Sequence, residues 1–203
     1  MDLFFDWAFS NKIELAGTIF GLLSVWFSIR QSLITWPTGI LTSFLYCVVF
    51  LESKFYAGMV LQLYYLLISI YGWWNWTHGG QSDSGDTKLI VSRSSRNLWI
   101  RLFSLNLLFL FLIYFLLRRY TDSPIAFGDA FTTSLSIIAT WMLARKKIEH
   151  WIVWVFIDLV SASLYLYRGL YLTVFLFLVY TGMAVVGFYE WQKELKKVSH
   201  VEE

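Results

Sequence analysis

The sequence has little charge and almost no cysteine. Of its 203 residues 15% are charged, against about 25% in an average soluble domain, while 58% are hydrophobic and 20% aromatic. A soluble protein of this size could not bury so many apolar side chains, so the composition predicts a polytopic membrane protein. The net charge of +2 is too small to argue for a nucleic-acid partner. The single cysteine, Cys47, excludes an intrachain disulfide.

The sequence also lacks the patterns of an enzyme or an ATP-driven pump. Its three histidines fall in predicted loops or the C-terminal tail, without metal-ligand spacing. It contains no Ser–His constellation, no phosphate-binding glycine loop and no paired carboxylates within an apolar run. We therefore expect no catalytic residue, no metal site and no cofactor. Asp2 and Asp6 stand where a signal peptide would carry lysines, so no cleavable signal is expected.

What the sequence does contain is seven apolar segments, each near the length that crosses a bilayer. They cover residues 15–33, 36–52, 55–76, 98–117, 127–144, 151–167 and 170–190. The longest polar interruption, residues 77–97, indicates a flexible surface loop. Lys and Arg are concentrated on one side, which predicts an outside N-terminus and a cytoplasmic C-terminus. Tryptophans near segment ends are expected at the membrane interface; these are Trp36, Trp73, Trp74, Trp76 and Trp191.

The two halves of the chain repeat one another. A shift of 115 positions places residues 14–76 on residues 129–191 without a gap, and Trp, Arg and Gly residues coincide. Residues 98–117 have no equivalent and are expected to connect the halves. The pattern predicts a single all-α transmembrane domain over residues 1–203, with seven transmembrane helices in a 3+1+3 parallel repeat. Transporters built from such repeats bind substrate near the bilayer midplane, between the halves.

The most informative stretch runs from residue 151 to residue 171 and carries one carboxylate, Asp158, near its middle. A carboxylate at this depth is costly unless it faces a cavity or a cation, so Asp158 is a candidate site residue. Helical spacing places it on one face with Trp151, Trp154, Ser161 and Tyr165. Indoles, a carboxylate and hydroxyls on one stripe predict a site for a flat polar molecule that can be cationic. The alternative is a polar seam that only packs helices.

A second polar stripe lies in the third segment and contains Gln62. A buried glutamine most often bridges helices, so bridging and substrate contact both remain open for it. An ion channel is a further alternative, although a single Asp158 would form a charged ring only across several subunits. The remaining alternative is a membrane adaptor without transport, which need not bind a small molecule.

Four motifs carry a family resemblance over nearly the whole chain. They are WPTGI (36–40), YGWWNW (71–76), DAFTTS (129–134) and WxxWxxxD (151–158), and they resemble the PnuC family of bacterial vitamin transporters. The resemblance implies uptake of nicotinamide riboside, an NAD precursor, with thiamine or riboflavin taken by some branches. It also implies a SWEET-like fold, a homotrimer in the bacterial inner membrane, and facilitated diffusion coupled to phosphorylation by a cytosolic kinase.

The resemblance also implies which residues contact the substrate. On matching positions these would be Trp151, Trp154, Asp158 and Gln62, together with Tyr65 and Tyr180. The chain carries Asp158 where some relatives carry asparagine, which leaves the vitamin open. Nicotinamide riboside is the first expectation and thiamine the alternative within the family.

Overall fold

A computed structural model of the chain describes residues 12–52, 56–79, 89–121 and 125–201. Within these ranges the chain forms seven α-helices, and each coincides with one predicted segment. The helices are α1 (Lys12–Ile29), α2 (Thr35–Glu52), α3 (Tyr56–His78), α4 (Arg96–Tyr120), α5 (Ala126–Ala144), α6 (His150–Tyr167) and α7 (Tyr171–Val201). The predictions about the N-terminal segment 1–11 and about residues 80–88 of the polar loop lie outside the described residues.

Two predicted boundaries are wrong. α1 ends at Ile29 instead of residue 33, because Gln31 adopts a left-handed backbone with a φ of 53° that an α-helix cannot contain. α7 continues past residue 190 to Val201. Its charged turns remain helical because side chains three residues apart can pair on a helix surface, as Glu190 does with Lys193 at 2.7 Å.

The helices present apolar surface outward. Four of them, α2, α4, α6 and α7, are long and apolar enough to cross a membrane by length and composition. On α4 the side chains of Phe103, Phe111 and Phe115 are each more than half exposed. Apolar surface on this scale is characteristic of helices that face lipid. The chain is an all-α integral membrane protein.

Six of the helices form a closed ring. Each packs on the next in the order α1, α2, α3, α5, α6, α7, and α7 packs on α1 again. α4 lies outside the ring and packs on α5, as expected for the connector between halves. The two contacts that join the halves, α3 with α5 and α7 with α1, are equivalent under the predicted repeat. The ring therefore has the approximate two-fold arrangement that the repeat predicts, around a central axis.

Four tryptophans close one end of this ring: Trp36, Trp76, Trp151 and Trp191, here called the tryptophan cluster. The equivalent residues Trp76 and Trp191 contact each other, with ring centroids 6.0 Å apart. Trp36 meets Trp76 edge to face at 5.1 Å, and Trp151 meets Trp191 in the same way at 5.7 Å. All four are at most 3% exposed. The prediction of interfacial anchoring is therefore wrong for Trp36, Trp76 and Trp191, whereas Trp73 and Trp74 are exposed.

The polar contacts around the cluster follow the same symmetry. The Trp76 indole donates to the carbonyl of Leu143 at 3.2 Å, and the Trp191 indole donates to the carbonyl of Ser28 at 3.0 Å. The two donors, Trp76 and Trp191, are 115 positions apart, and so are the two acceptors, Ser28 and Leu143. These two contacts are therefore equivalent positions of the two halves.

The two halves also bond to each other beside the cluster. Lys146 Nζ donates to Gln31 Oε1 at 3.2 Å, and these two residues are themselves 115 positions apart. Both have left-handed backbones, with φ of 47° and 53°, so the same sharp turn follows α5 and α1. The Lys146 ammonium also lies 4.5 Å from the centre of the Trp76 ring, a cation–π distance.

The second part of the predicted flexible loop is packed against the bundle. Residues 89–95 run beside the turn between α5 and α6, where Ser92 N–H donates to the Lys146 carbonyl and Ile148 N–H donates to the Ser92 carbonyl. Val91 is only 5% exposed and belongs to the core. The prediction of a flexible loop is wrong for these residues, because a short apolar run is enough to fill a groove between helices.

Candidate functional site

The carboxylate of Asp158 lies near the middle of α6, roughly 12 Å along the helix axis from its first residue. Asp158 is 4% exposed. Among the described residues its carboxylate has no hydrogen-bond or ion-pair partner. A buried charge without a partner is costly, and within a membrane it marks a functional site by default.

Asp158 faces the interior of the ring. It is close enough to the phenols of Tyr65 and Tyr180 to interact electrostatically with both. Tyr65 belongs to α3, which does not pack on α6, so this interaction crosses the interior. The ring thus brings together three of the predicted site residues, from α3, α6 and α7.

The two tyrosines occupy equivalent positions in the halves but have different partners. The Tyr65 phenol lies near enough to the Ser136 side chain on α5 to interact with it electrostatically. The Tyr180 hydroxyl reaches the equivalent place on α1, 2.9 Å from where a Cβ of Gly21 would lie. No described side chain offers it a hydrogen bond there. The departure from symmetry leaves the Tyr180 hydroxyl available to a ligand.

Two further predicted site residues also have side chains that could bond a ligand. Gln62 is half-buried and lies one helical turn before Tyr65; Ser161 is 5% exposed and lies one turn after Asp158. Neither side chain has a hydrogen-bond partner among the described residues. A bridging role for Gln62 therefore finds no support in these contacts.

The other predicted residues are placed differently. Trp154 is half-buried, one turn from Asp158 toward the tryptophan cluster. Trp151 is packed within that cluster, with its ring centroid 4.4 Å from that of His150. Tyr165 stacks on Phe177 of α7 at 5.4 Å. Spacing along α6 put these residues on one face, but contacts with α7 occupy Trp151 and Tyr165.

Tyr46 is a neighbour of the site that sequence reasoning missed. It interacts with Tyr180, and its hydroxyl lies 2.9 Å from that of Thr18. The signal was present in the repeat, since Tyr46 is the equivalent of the candidate Ser161. Helical spacing along α6 predicts Ser161 beside Asp158, and the repeat transfers that position to Tyr46 on α2.

The assembled groups define what the site can bind. It offers one carboxylate, two phenols, an amide, a hydroxyl and a half-buried indole, which together suit a flat cation that also carries hydroxyl groups. No three potential metal ligands converge within the described part of the chain. No nucleophile–base pair occurs among these site residues either.

Comparison with known proteins identifies the family. The chain matches the family described as nicotinamide mononucleotide transporter over residues 11–193. It belongs to the nicotinamide mononucleotide transporter family. The nicotinamide riboside transporter PnuC of Escherichia coli K12 is 24% identical over 201 residues, covering 88% of this chain and 84% of that protein. The riboflavin/roseoflavin transporter RibM of Streptomyces davaonensis is also 24% identical, covering 88% and 83%.

A solved structure of the family has the same fold. The crystal structure of the vitamin B3 transporter PnuC superposes with a TM-score of 0.74 at 18% identity, covering 97% of this chain and 87% of that one. The resemblance inferred from the four motifs is confirmed, and the chain is a multi-pass membrane transporter of the PnuC family, not an enzyme. The two named relatives carry different vitamins, so family membership alone does not select the substrate.

Proposed function

We propose that the chain imports nicotinamide riboside. The observation that carries the proposal is the buried carboxylate of Asp158, which lacks a partner among the described residues and faces the ring interior. Nicotinamide riboside has a fixed positive charge on its pyridinium ring, which a carboxylate can balance. Its ribose hydroxyls and carboxamide need the hydrogen-bonding groups that surround Asp158.

Each site residue has a role in this proposal. Trp154 stacks on the pyridinium ring, with Trp151 behind it, and Asp158 balances the charge. Gln62 bonds the carboxamide or a ribose hydroxyl. Tyr65, Ser161 and Tyr180 complete the polar contacts with their hydroxyl groups, while Tyr165, stacked on Phe177, supports the site from beside it.

The same carboxylate separates the vitamins carried within the family. Thiamine has a fixed positive charge on its thiazolium ring and is the second candidate for that reason. The isoalloxazine ring of riboflavin is neutral, so binding it would leave Asp158 buried without a counter-ion, which is unfavourable. A flavin is therefore disfavoured for this chain, although it is named as a substrate of RibM.

Transport would follow the gradient of the substrate. An inside-negative potential favours entry of a fixed cation by about 2.3 kcal/mol per 100 mV, so facilitated diffusion needs no ion partner. Phosphorylation by a cytosolic kinase would then trap the product inside. We further propose a homotrimer in the bacterial inner membrane, as the family resemblance implies. The charge distribution supports an outside N-terminus and a cytoplasmic C-terminus.

The function is tested by titrating vitamins into the purified protein and its Asp158→Asn variant. A charged hydrogen bond contributes about 1.5–3 kcal/mol, so the variant should bind nicotinamide riboside about ten- to a hundredfold more weakly. Binding of neutral nicotinamide should change little. Glu52→Gln, which removes an exposed carboxylate at the end of α2, is the control and should leave both affinities unchanged.

Three results would refute the proposal. Equal losses for the cation and for nicotinamide would show that Asp158 holds the structure and not the charge. Tighter binding of riboflavin than of both cations would assign the chain to the flavin branch. Absence of binding to every vitamin would show that the groups around Asp158 do not form the substrate site.

A further inference from the structure

Two glycines one turn apart leave part of α1 without side chains. They are Gly17 and Gly21, and their equivalents on α5 are Thr132 and Ser136. The Thr132 and Ser136 hydroxyls donate to carbonyls of their own helix at 3.0 Å and 2.8 Å. α5 thus carries a hydroxyl-bearing side chain at both positions where α1 carries none.

Two phenols from neighbouring helices occupy this bare part of α1. A Cβ added at Gly17 would lie 3.0 Å from the ring of Tyr46 on α2, and one added at Gly21 would lie 2.9 Å from the hydroxyl of Tyr180 on α7. α2 and α7 are the two helices that flank α1 in the ring. The two phenols are close enough to interact electrostatically. The glycines therefore provide the space in which the phenols approach each other.

The Tyr46 side chain is held by contacts within the first half of the chain. Its hydroxyl lies 2.9 Å from the hydroxyl of Thr18, and its ring centroid lies 5.8 Å from that of Phe50. A phenol can take part in more than one hydrogen bond, so the contact with Thr18 orients the Tyr46 hydroxyl and still allows it to bond a ligand. A side chain that is already ordered loses little conformational entropy when a ligand binds.

Tyr180 connects this pair of phenols to the candidate site. Its phenol interacts electrostatically with Tyr46 and also with Asp158. α2 and α6, which carry Tyr46 and Asp158, do not pack on each other through their described residues. The three polar groups therefore extend across the interior of the ring, from one half of the chain to the other.

The repeat gives the depth of Tyr46 relative to Asp158. Equivalent residues of parallel repeats lie at the same depth in the membrane, and the equivalent of Tyr46 is Ser161, three residues beyond Asp158 on α6. Tyr46 is thus roughly 4.5 Å farther from the tryptophan cluster than Asp158, whereas Trp154 lies on the cluster side of Asp158. Along the ring axis the order is indole, carboxylate, phenol.

We propose that Tyr46 is a further specificity-determining residue of the transporter and that, together with Tyr180, it binds the hydroxylated end of the substrate. The inference rests on the proposed function, because it takes the cationic ring to be held by Trp154 and Asp158. The phenol hydroxyls can donate to a sugar hydroxyl and accept from it. The ribose then lies on the α1 side of the site, farther from the tryptophan cluster than the pyridinium ring.

Two cations with the same ring separate recognition of the sugar from recognition of the charge. Nicotinamide riboside carries ribose on the pyridinium nitrogen, and 1-methylnicotinamide carries a methyl group there. Both are titrated into the full-length protein in lipid nanodiscs and into its Tyr46→Phe variant, which loses the hydroxyl and keeps the ring on Gly17. The variant should bind nicotinamide riboside about two- to tenfold more weakly, as expected for one uncharged hydrogen bond. Its affinity for 1-methylnicotinamide should be unchanged.

Two other tyrosines complete the test. Tyr180→Phe should also weaken binding of nicotinamide riboside more than binding of 1-methylnicotinamide. Tyr114→Phe is the matched control, because it removes a phenol hydroxyl from α4, which lies outside the ring. It should leave both affinities unchanged. Thermal unfolding of the three variants checks that they remain folded.

The outcomes distinguish this role from the proposed function. If the unaltered protein binds both cations and Tyr46→Phe weakens binding of both equally, or of neither, the proposed function stands and the role of Tyr46 is wrong. Binding of nicotinamide riboside alone would show that the ring is not held independently of the sugar, which also overturns this division of the site. If the unaltered protein binds neither cation, the proposed function is wrong and the role of Tyr46 falls with it.

Discussion

The contact between Gly187 and Trp151 allows a quantitative test of the tryptophan cluster. A Cβ added at Gly187 would lie 2.6 Å from atoms of the Trp151 indole. Carbon atoms pack at about 3.5–4.0 Å, so in Gly187→Ala the indole or α7 must move by about 1 Å. The indole is 3% exposed and is held by the rings of His150 and Trp191, so it has no free space to enter.

Overpacking and helix propensity have opposite effects on the stability of Gly187→Ala. Overpacking of a core costs about 1–3 kcal/mol, whereas replacing glycine by alanine within a helix gains up to about 1 kcal/mol. Gly182→Ala isolates the second term, because Gly182 lies on the same helix and a Cβ there would meet nothing within 4 Å. Gly187→Ala should therefore be less stable than Gly182→Ala by about 1–3 kcal/mol.

The measurement is reversible unfolding in mixed micelles, followed by tryptophan fluorescence. The difference between the two variants is the quantity that matters, because it cancels the helix-propensity gain. If both variants unfold at the same denaturant concentration, the close approach of α7 to Trp151 is wrong, and so is the packed cluster that depends on it.

Two further predictions concern the site and the driving force. Trp154→Ala should weaken vitamin binding by about 0.5–2 kcal/mol with little loss of stability, whereas Trp151→Ala should mainly lower the unfolding temperature. Calorimetric titration measures the first effect and thermal unfolding the second. The opposite result for the two variants would make Trp151 the stacking residue and Trp154 the packing residue. In liposomes, uptake should persist without a proton or sodium gradient, and 100 mV inside-negative should raise accumulation about fiftyfold. A strict requirement for a proton gradient that Asp158→Asn removes would make Asp158 the coupling residue.

The helices and their repeat could be predicted because both appear as patterns in the sequence itself. Apolar runs of bilayer length located all seven helices, and the gapless shift located the equivalent tryptophans. Their burial could not be predicted in the same way. A tryptophan near a helix end fits the lipid interface and a central contact equally well, and the rotation of the helix decides between them. That rotation depends on closure of the six-helix ring, which no single segment encodes.

The candidate site was predictable in part for the same reason. Depth in the membrane identified Asp158, since few side chains are so costly there. Helical spacing then grouped Trp151 and Tyr165 with Asp158. Spacing shows that residues share a helix face, but it does not show which neighbouring helix covers that face. α7 covers both with Trp191 and Phe177. The tyrosines that interact electrostatically with Asp158 lie on other helices, so their proximity required the assembled ring.

The frame of the protein is symmetric while its interior is not, and the asymmetry suits the proposed substrate. The equivalent of Asp158 is Ser43, which is also buried, and the equivalent of Gln62 is Phe177. Two carboxylates at equivalent positions would face each other across the axis, and each would oppose ionisation of the other. A single fixed cation could balance only one of them. One carboxylate in a symmetric ring therefore matches one positive charge on the substrate and leaves no second charge to be neutralised.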